Sequence, residues 1–232
     1  MRIEGNLLLH EEIMLLALRD KEGTIATGAY YAQAIGGAIL AELLLNGRIK
    51  VEEEKKKKFA ALVSAAPMGD PVIDECLEKI KTAKRQATLR TWVGRFAQLK
   101  QLKHRVAESL CRRGILKADE DKVLLIFTRK IYPELDPRPE RDLVRRLKQA
   151  IFTYSRELDP RTVVLISLAN ASGILKTVFD KSRLKDRKKR LQRIMDGHVV
   201  GEATKEAVEA MQAAVMVATV VPAVVMTTSA GR

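Results

Sequence analysis

Two long segments of the chain are apolar on almost every side when they are wound as helices. One covers residues 31–45 and the other residues 161–179. A helix of this kind is stable in water only when other elements surround it. Elsewhere the apolar residues recur at helical spacing and strict alternation is rare, which indicates helices rather than strands. The sequence therefore predicts a mainly α fold, a single globular helical domain over residues 1–232 built around a buried helix bundle.

Small features refine the predicted central helices. Glu11 and Glu12 stand near the amino end of a helix predicted over residues 7–19, where the helix dipole favours negative charge. The Gly36 and Gly37 pair in the second helix leaves room for a close-packed neighbour or for a ligand. Close packing is the simpler interpretation of this pair.

The sequence PMGDPVIDECLEKI carries the signals of a helix start. Asp70 followed by Pro71 is typical of an N-cap and the first position of a helix. Asp74 and Glu75 then fall in the opening turn, where negative charge is favoured. Capping accounts for these paired carboxylates, so they do not indicate a metal or acid–base site.

The positive charge of the chain is concentrated in two stretches. Its 42 lysines and arginines exceed its 29 aspartates and glutamates, which gives a net charge of +13. Residues 81–117 contain 11 basic residues and 1 acidic residue, and residues 181–193 contain 8 basic residues beside Asp186 alone. Clustered positive charge indicates a polyanionic partner, either the phosphates of a nucleic acid or an anionic membrane surface.

The first basic stretch is predicted to form one helix or a broken pair of helices over residues 86–113. An apolar stripe runs along this segment, and the basic residues Lys100, Lys103 and Arg105 fall largely off it. The β-rich segment 122–136 that follows predicts a hairpin. Its tip is predicted to carry Arg129, Lys130, Ile131 and Tyr132. In the second basic stretch, apolar residues are predicted to anchor one side of the chain, namely Leu184, Leu191 and Ile194.

The cysteines and histidines do not form a catalytic or metal-binding pattern. Cys76 and Cys111 alone cannot form a disulfide scaffold or a four-ligand zinc site, so a reducing compartment is expected. The histidines have no ligand spacing with one another or with a cysteine. No HExxH, CxxC, GxSxG or GxxxxGK(S/T) motif occurs. The sequence therefore predicts a protein that is not an enzyme and holds no cofactor or metal.

Three further patterns are interpreted structurally. Arg112 and Arg113 beside Cys111 would favour a reactive thiolate, but a structural cysteine is the simpler interpretation. The segment 203–228 contains 18 consecutive uncharged residues, yet its Ala and Val content and Pro222 favour a core helix over a membrane span. The amino end carries acids where a secretory signal would continue its apolar run, so no export is expected.

Seven motifs occur in the order found in the Golgi phosphoprotein 3 family. They are LLLHEEIMLLALRDKEG (7–23), AILAELLLNGRI (38–49), APMGDPVIDECL (66–77), LRTWV (89–93), LCRRGIL (110–116), VLLIF followed by Pro133, and RTVVLISLANASGILKTVF (161–179). The chain thus resembles this family, which includes the yeast vacuolar sorting homologue and many bacterial proteins. The resemblance implies a helical domain with a protruding hydrophobic hairpin. It also implies a non-enzymatic peripheral membrane protein that binds phosphatidylinositol 4-phosphate and, in eukaryotes, helps to retain glycosyltransferases in the Golgi.

The resemblance carries over only part of the family's headgroup pocket. The pocket's two basic residues on the helix before LCRRGIL fall at Lys100 and Lys103, with ammonium groups in place of guanidinium groups. Its tryptophan falls at Thr27 and its remaining arginine at Gly36, so a different anionic lipid, or none, is expected to bind. The chain also begins almost at the first motif, without the basic tail of eukaryotic members. A prokaryotic member of the family is therefore expected.

Three classes of function remain open. In the first, Lys100, Lys103 and Arg105 contact anionic phospholipid headgroups, Ile131 and Tyr132 enter the membrane interface, and the protein is cytoplasmic and peripherally membrane-associated. The hairpin residues could instead pack against the domain or join a second subunit into a homo-oligomer. The second class is a winged-helix-like nucleic-acid binder, against which the lack of base-reading residues on the basic helix argues. The third is an adaptor for the tails of unknown partner proteins.

Overall fold

The computed structural model describes residues 7–19, 22–25, 30–123, 127–153 and 157–199, which form ten helices and two β-hairpins. The helices are α1 (Leu9–Ala17), α2 (Tyr31–Leu45), α3 (Pro71–Lys81), α4 (Leu89–Ala97), α5 (Leu102–Arg112), α6 (Arg138–Phe152), α7 (Pro160–Ala171), α8 (Leu175–Val178), α9 (Lys181–Asp186) and α10 (Lys188–Met195). The strands are β1 (Ile49–Glu54), β2 (Lys57–Leu62), β3 (Asp119–Val123) and β4 (Phe127–Ile131). The mainly α fold is thereby confirmed. Residues 203–228, predicted to form a core helix, lie outside the described residues.

Helices α1 and α2 lie at the centre of the fold. α1 contacts α2, α5, α6 and α7, and α2 also contacts α4 and α7. Every residue of α1 is buried, and so are residues 34–43 of α2 and 162–169 of α7. Other elements therefore surround both apolar segments, as predicted. The second segment is divided into α7 and α8, because Gly173 turns the chain with a φ of 78°.

Glu11 is buried and joins α1 to the carboxyl end of α5. Its Oε2 lies 2.7 Å from Nη1 of Arg113, and its Oε1 accepts a hydrogen bond from the Ser109 hydroxyl at 3.0 Å. The carboxylate also accepts from the backbone N–H of Leu8 at 2.9 Å, so it caps its own helix as well. The predicted position at the helix start is correct. Its partners on α5 are distant in sequence and were not predicted.

Glu12 and Glu42 form a second buried network with arginines of α6 and α7. Arg146 Nη2 lies 2.7 Å from Glu12 Oε1, and Arg161 Nη2 lies 2.5 Å from Glu42 Oε1. Burial raises the pKa of Glu12, and the two guanidinium groups offset this only in part. Burial lowers the pKa of Arg161, but Glu42 and Glu12 more than compensate and raise it. The network therefore ties α1, α2, α6 and α7 together.

Asp70 caps α3 as predicted and is itself buried. Its Oδ1 accepts hydrogen bonds from the backbone N–H groups of Val72 and Ile73, both at 3.0 Å. Nε2 of His10 on α1 lies 3.6 Å from the same oxygen. Burial raises the pKa of Asp70, but His10 and the backbone donors outweigh burial and hold this pKa at about 2, below its ordinary 3.8.

We expect the stability that Asp70 contributes to depend on pH. Its pKa is lower in the folded state, so the contribution is present above about pH 4 and is lost as the pH falls through about 2. Asp70→Asn keeps an acceptor for the cap, and we expect it to lower the free energy of unfolding by about 2 kcal/mol at neutral pH. Urea denaturation at neutral pH and near pH 2 measures the difference, which should almost vanish in acid. An equal loss at both pH values would contradict the assignment.

The tip of the second hairpin is not where the sequence predicted it. β3 and β4 pair in antiparallel register, with Asp119 opposite Ile131 and Val123 opposite Phe127. Arg129, Lys130 and Ile131 therefore lie in the half of β4 away from the connection, and residues 124–126 lie outside the described residues. The placement predicted at the tip is wrong for Arg129, Lys130, Ile131 and Tyr132. The connection carries no Gly, Pro or Asn signal, so the sequence pattern did not mark the turn.

Tyr132 packs against the domain. It follows directly after β4 and is only 1% exposed, and its backbone N–H donates to the carbonyl of Gly23 at 2.9 Å. Ile131 stands opposite Asp119 at the base of the hairpin and is partly buried. Insertion of a side chain into a membrane requires it to project from the surface, so neither residue belongs to an inserting tip.

Candidate anion-binding site

The helix pair predicted over residues 86–113 is broken by a short turn. α4 ends at Ala97, and Gln101, just before α5, has a left-handed φ of 55°. Among the described residues, no side chain caps the amino end of α5, so the backbone N–H groups of its first turn keep the partial positive charge of the helix dipole. Lys100 is exposed in the connecting turn. This end of α5 is therefore suited to bind a phosphate group.

Strand β4 brings two further cations beside this helix end. Lys103, in the first turn of α5, is partly buried, and burial together with Arg129 lowers the pKa of its ammonium group. Arg129 Nη2 lies 2.6 Å from Asp121 Oδ2, and Lys130 Nζ lies 3.8 Å from Glu108 Oε1. Each of the two strand cations therefore has a carboxylate partner.

His104 and Tyr132 join α5 to the end of the hairpin. Nδ1 of His104 and the hydroxyl oxygen of Tyr132 are 2.8 Å apart. Burial raises the pKa of Tyr132 to about 12, so the hydroxyl stays protonated. Burial and the nearby Lys103 and Lys130 lower the pKa of His104, so its imidazole is neutral at neutral pH. The contact therefore positions the hairpin without adding charge.

We call five residues the α5–β4 basic surface: Lys100, Lys103, His104, Arg129 and Lys130. Across the described ranges, no ion pair is found for Lys100 or Lys103, whereas Arg129 and Lys130 are each paired. Two cations can therefore meet an anionic ligand directly. The other two must exchange a carboxylate for it.

Arg105 does not belong to this surface. Its Nη1 lies 2.5 Å from Glu75 Oε2, and its Nη2 donates to the carbonyl of Pro71 at 3.4 Å. Burial alone would raise the pKa of Glu75, but Arg105 and Lys79 outweigh burial and hold this pKa below its usual value. Arg105 therefore holds α5 against α3. Of the three predicted headgroup ligands, Arg105 is thus engaged elsewhere, and the roles of Lys100 and Lys103 stay a prediction.

The cysteine chemistry considered from the sequence is not favoured. Burial raises the pKa of Cys111, and the carboxylate of Glu108 adds to this effect, so the thiol is not activated. Within the described part of the chain, no cluster of three or more His, Cys, Asp or Glu side chains could hold a metal ion.

Comparison with known proteins gives a match over most of the chain. The Golgi phosphoprotein 3 (GPP34) family matches residues 9–211. The chain belongs to the Golgi phosphoprotein 3 family. It is similar to the vacuolar protein sorting-associated protein 74 of Schizosaccharomyces pombe, with 25% identity over 223 residues, which cover 82% of this chain and 66% of that protein. The chain thus spans just under two thirds of the relative's length. This yeast relative gives no support to the expectation of a prokaryotic member.

Gly36 of this Golgi phosphoprotein 3 family member is a point of close helix packing. A Cβ atom at Gly36 would lie 2.7 Å from the carbonyl oxygen of Val93 and 3.1 Å from the amide nitrogen of Ala97, both on α4. The arginine that the resemblance aligns here has no room unless α4 moves. Close packing, the interpretation preferred from the sequence, is therefore confirmed at this glycine. Thr27, aligned with the pocket tryptophan, lies outside the described residues.

The packing of β4 against α5 in this family member was not predicted, although the sequence contains a signal for it. Lys130 and Tyr132 are two positions apart, so an extended chain presents them on one face. Glu108 and His104 are one turn apart on α5 and contact those two residues respectively. Matching the two-residue period of the strand to the one-turn spacing on the helix would have aligned β4 with α5.

Among the described helices, none is long and apolar enough to cross a membrane.

We expect Gly36→Ala to destabilise the fold. The added methyl group overlaps the backbone of α4, and overpacking of this kind costs about 1–3 kcal/mol in the free energy of unfolding. Gly94→Ala on α4 is the matched control, because no described atom lies within 4 Å of its Cβ position. That change should be neutral or stabilise by up to about 1 kcal/mol. Urea denaturation measures both, and equal stability of the two variants would rule out the close packing.

Proposed function

We propose that this member of the Golgi phosphoprotein 3 family is a non-enzymatic peripheral membrane protein that binds anionic phospholipid headgroups at the α5–β4 basic surface. The observation that carries the proposal is the uncapped amino end of α5, with Lys100 and Lys103 beside it and no ion pair to either among the described residues. The family match supports a role at membranes. By resemblance to the family, phosphatidylinositol 4-phosphate is the first headgroup to test.

The charges at this surface favour reversible docking. A basic residue near an anionic membrane contributes about 1 kcal/mol. Lys100 and Lys103 together therefore contribute about 2 kcal/mol, and the dipole of α5 adds to their attraction for phosphate. Arg129 and Lys130 contribute less, because each must give up a carboxylate partner. Together these contributions favour weak binding, and the affinity should rise with the density of anionic lipid in the membrane.

The same surface is expected to distinguish poorly between anionic lipids. Lysine binds phosphate as a point charge, whereas arginine provides a planar pair of donors that fixes the geometry of the ligand. Gly36 leaves no room for the arginine of the family's pocket. We therefore infer that surface charge, more than headgroup structure, determines which membranes the protein binds.

Co-sedimentation with vesicles tests the proposal. The vesicles contain phosphatidylcholine alone, or phosphatidylcholine with either phosphatidylserine or phosphatidylinositol 4-phosphate at matched surface charge. We expect retention on both anionic vesicles and little on the neutral one. Lys100→Glu with Lys103→Glu removes about 2 kcal/mol of attraction and adds repulsion, so the affinity should fall by roughly 30-fold or more.

The control is Lys185→Glu with Lys188→Glu, which makes the same change of net charge on α9 and α10. This variant should keep most of the retention. Unchanged binding by the Lys100 and Lys103 variant, or equal losses in both variants, would contradict the site. A gel shift with random duplex DNA at physiological salt is run in parallel. Binding to DNA without binding to vesicles would replace the proposal by the nucleic-acid alternative.

A further inference from the structure

The second basic stretch forms α9 and α10, and its arginines and lysines have different roles. The guanidinium of Arg183 lies 4.9 Å from the ring centroid of Phe152, and Arg190 Nε donates to the carbonyl of Ala150 at 3.3 Å. These two arginines therefore pack against α6. The anchoring predicted for the apolar residues of this stretch is confirmed, because they are buried or nearly so: Leu184, Leu191 and Ile194.

The lysines of this stretch line an open groove. The groove has a volume of about 590 Å³, and Lys176 from α8 joins Lys181, Lys185 and Lys188 at its edges. The described residues that line it include no acidic residue. All four lysines are exposed, and no ion pair to any of them is found in the ranges that the structure describes. Such a concentration of unpaired positive charge favours an acidic partner.

The floor of the groove is apolar. Leu184, Leu191 and Met195 line it, and Leu184 and Leu191 are only 7% and 6% exposed. Asn170 also lines the groove, where its Nδ2 is 3.1 Å from the sulfur of Met195, a weak acceptor. The partner must therefore reach into the groove with apolar side chains, because the floor residues do not project outward.

The chemistry of the groove is complementary to an amphipathic helix. Lys181 and Lys185 are one turn apart on α9 and share a face, whereas Lys188 begins α10 after the break at Arg187. Leu184 from α9 and Leu191 from α10 line the same groove as these lysines. An apolar floor with lysines from α8, α9 and α10 around it is complementary to a helix with an apolar stripe and acidic flanks.

We propose that the groove between α8, α9 and α10 binds an acidic amphipathic helix of a partner protein. A flat membrane is a poorer fit, because insertion needs projecting apolar side chains and the apolar residues here form the floor of a concavity. The proposal does not depend on lipid binding at the α5–β4 basic surface. It concerns different residues and a different class of ligand.

A designed probe tests the proposal on the full chain. The probe is a fluorescein-labelled helical peptide with leucines at i, i+3, i+4 and i+7 and glutamates on both flanks, and fluorescence polarisation at physiological salt reports binding. We expect Lys185→Glu with Lys188→Glu, and also the milder Lys185→Ala with Lys188→Ala, to weaken the affinity by about tenfold or more. Lys100→Glu with Lys103→Glu should leave it unchanged.

Two control peptides complete the test. Replacing the leucines of the probe by serine, or its glutamates by glutamine, should each abolish most of the binding. If the serine peptide binds as well as the probe, charge alone is responsible and the groove is not the site. If the Lys100 and Lys103 variant loses as much affinity as the Lys185 and Lys188 variants, the binding is non-specific and the proposal is wrong. If anionic vesicles bind through Lys185 and Lys188 and the peptide does not, the groove serves a membrane instead.

Discussion

Buried carboxylates on the two central helices determine how the rest of the chain surrounds them. Charges of this kind are stable in a protein interior only when partners neutralise them, and removing one partner typically costs about 3–5 kcal/mol. The partners come from α6, α7 and the end of α5, all distant in sequence. The acids are Glu11, Glu12 and Glu42, and the arginines are Arg113, Arg146 and Arg161. Apolar burial brings these helices together, and the ion pairs select which helix lies beside which carboxylate.

The same ion pairs also help to position the candidate anion-binding site. α5 is held at its carboxyl end by the contact of Arg113 with Glu11, and along its length by the contact of Arg105 with Glu75. The hairpin is held against α5 by the hydrogen bond between His104 and Tyr132. The amino end of α5 is therefore supported from two sides, and no described side chain caps its first-turn N–H groups. A site built on rigid elements loses little conformational entropy when it binds.

The parts of this structure that local sequence patterns control were predictable. Asp70 and Pro71 are adjacent in sequence and mark the start of α3. The apolar segments had to be surrounded by other elements, and α2 is accordingly buried over most of its length. The hairpin register was missed because its turn lacks the usual turn residues. Arg105 was assigned to the site because spacing places it near Lys103, but only the packing of α5 on α3 brings it to Glu75. Contacts between residues far apart in sequence therefore decide which basic residues are held in ion pairs within the fold and which remain available to a ligand.

Hydrogen–deuterium exchange of the unmodified protein, with and without vesicles containing anionic lipid, tests the central claim most directly. The claim is that the amino end of α5 and the neighbouring strand β4 form the membrane-binding surface. We predict slower exchange in the first turn of α5, at Lys103 and His104, and along β4 when anionic vesicles are present, with no change for phosphatidylcholine alone. Protection confined to other elements, with α5 and β4 exchanging as in the free protein, would contradict the account.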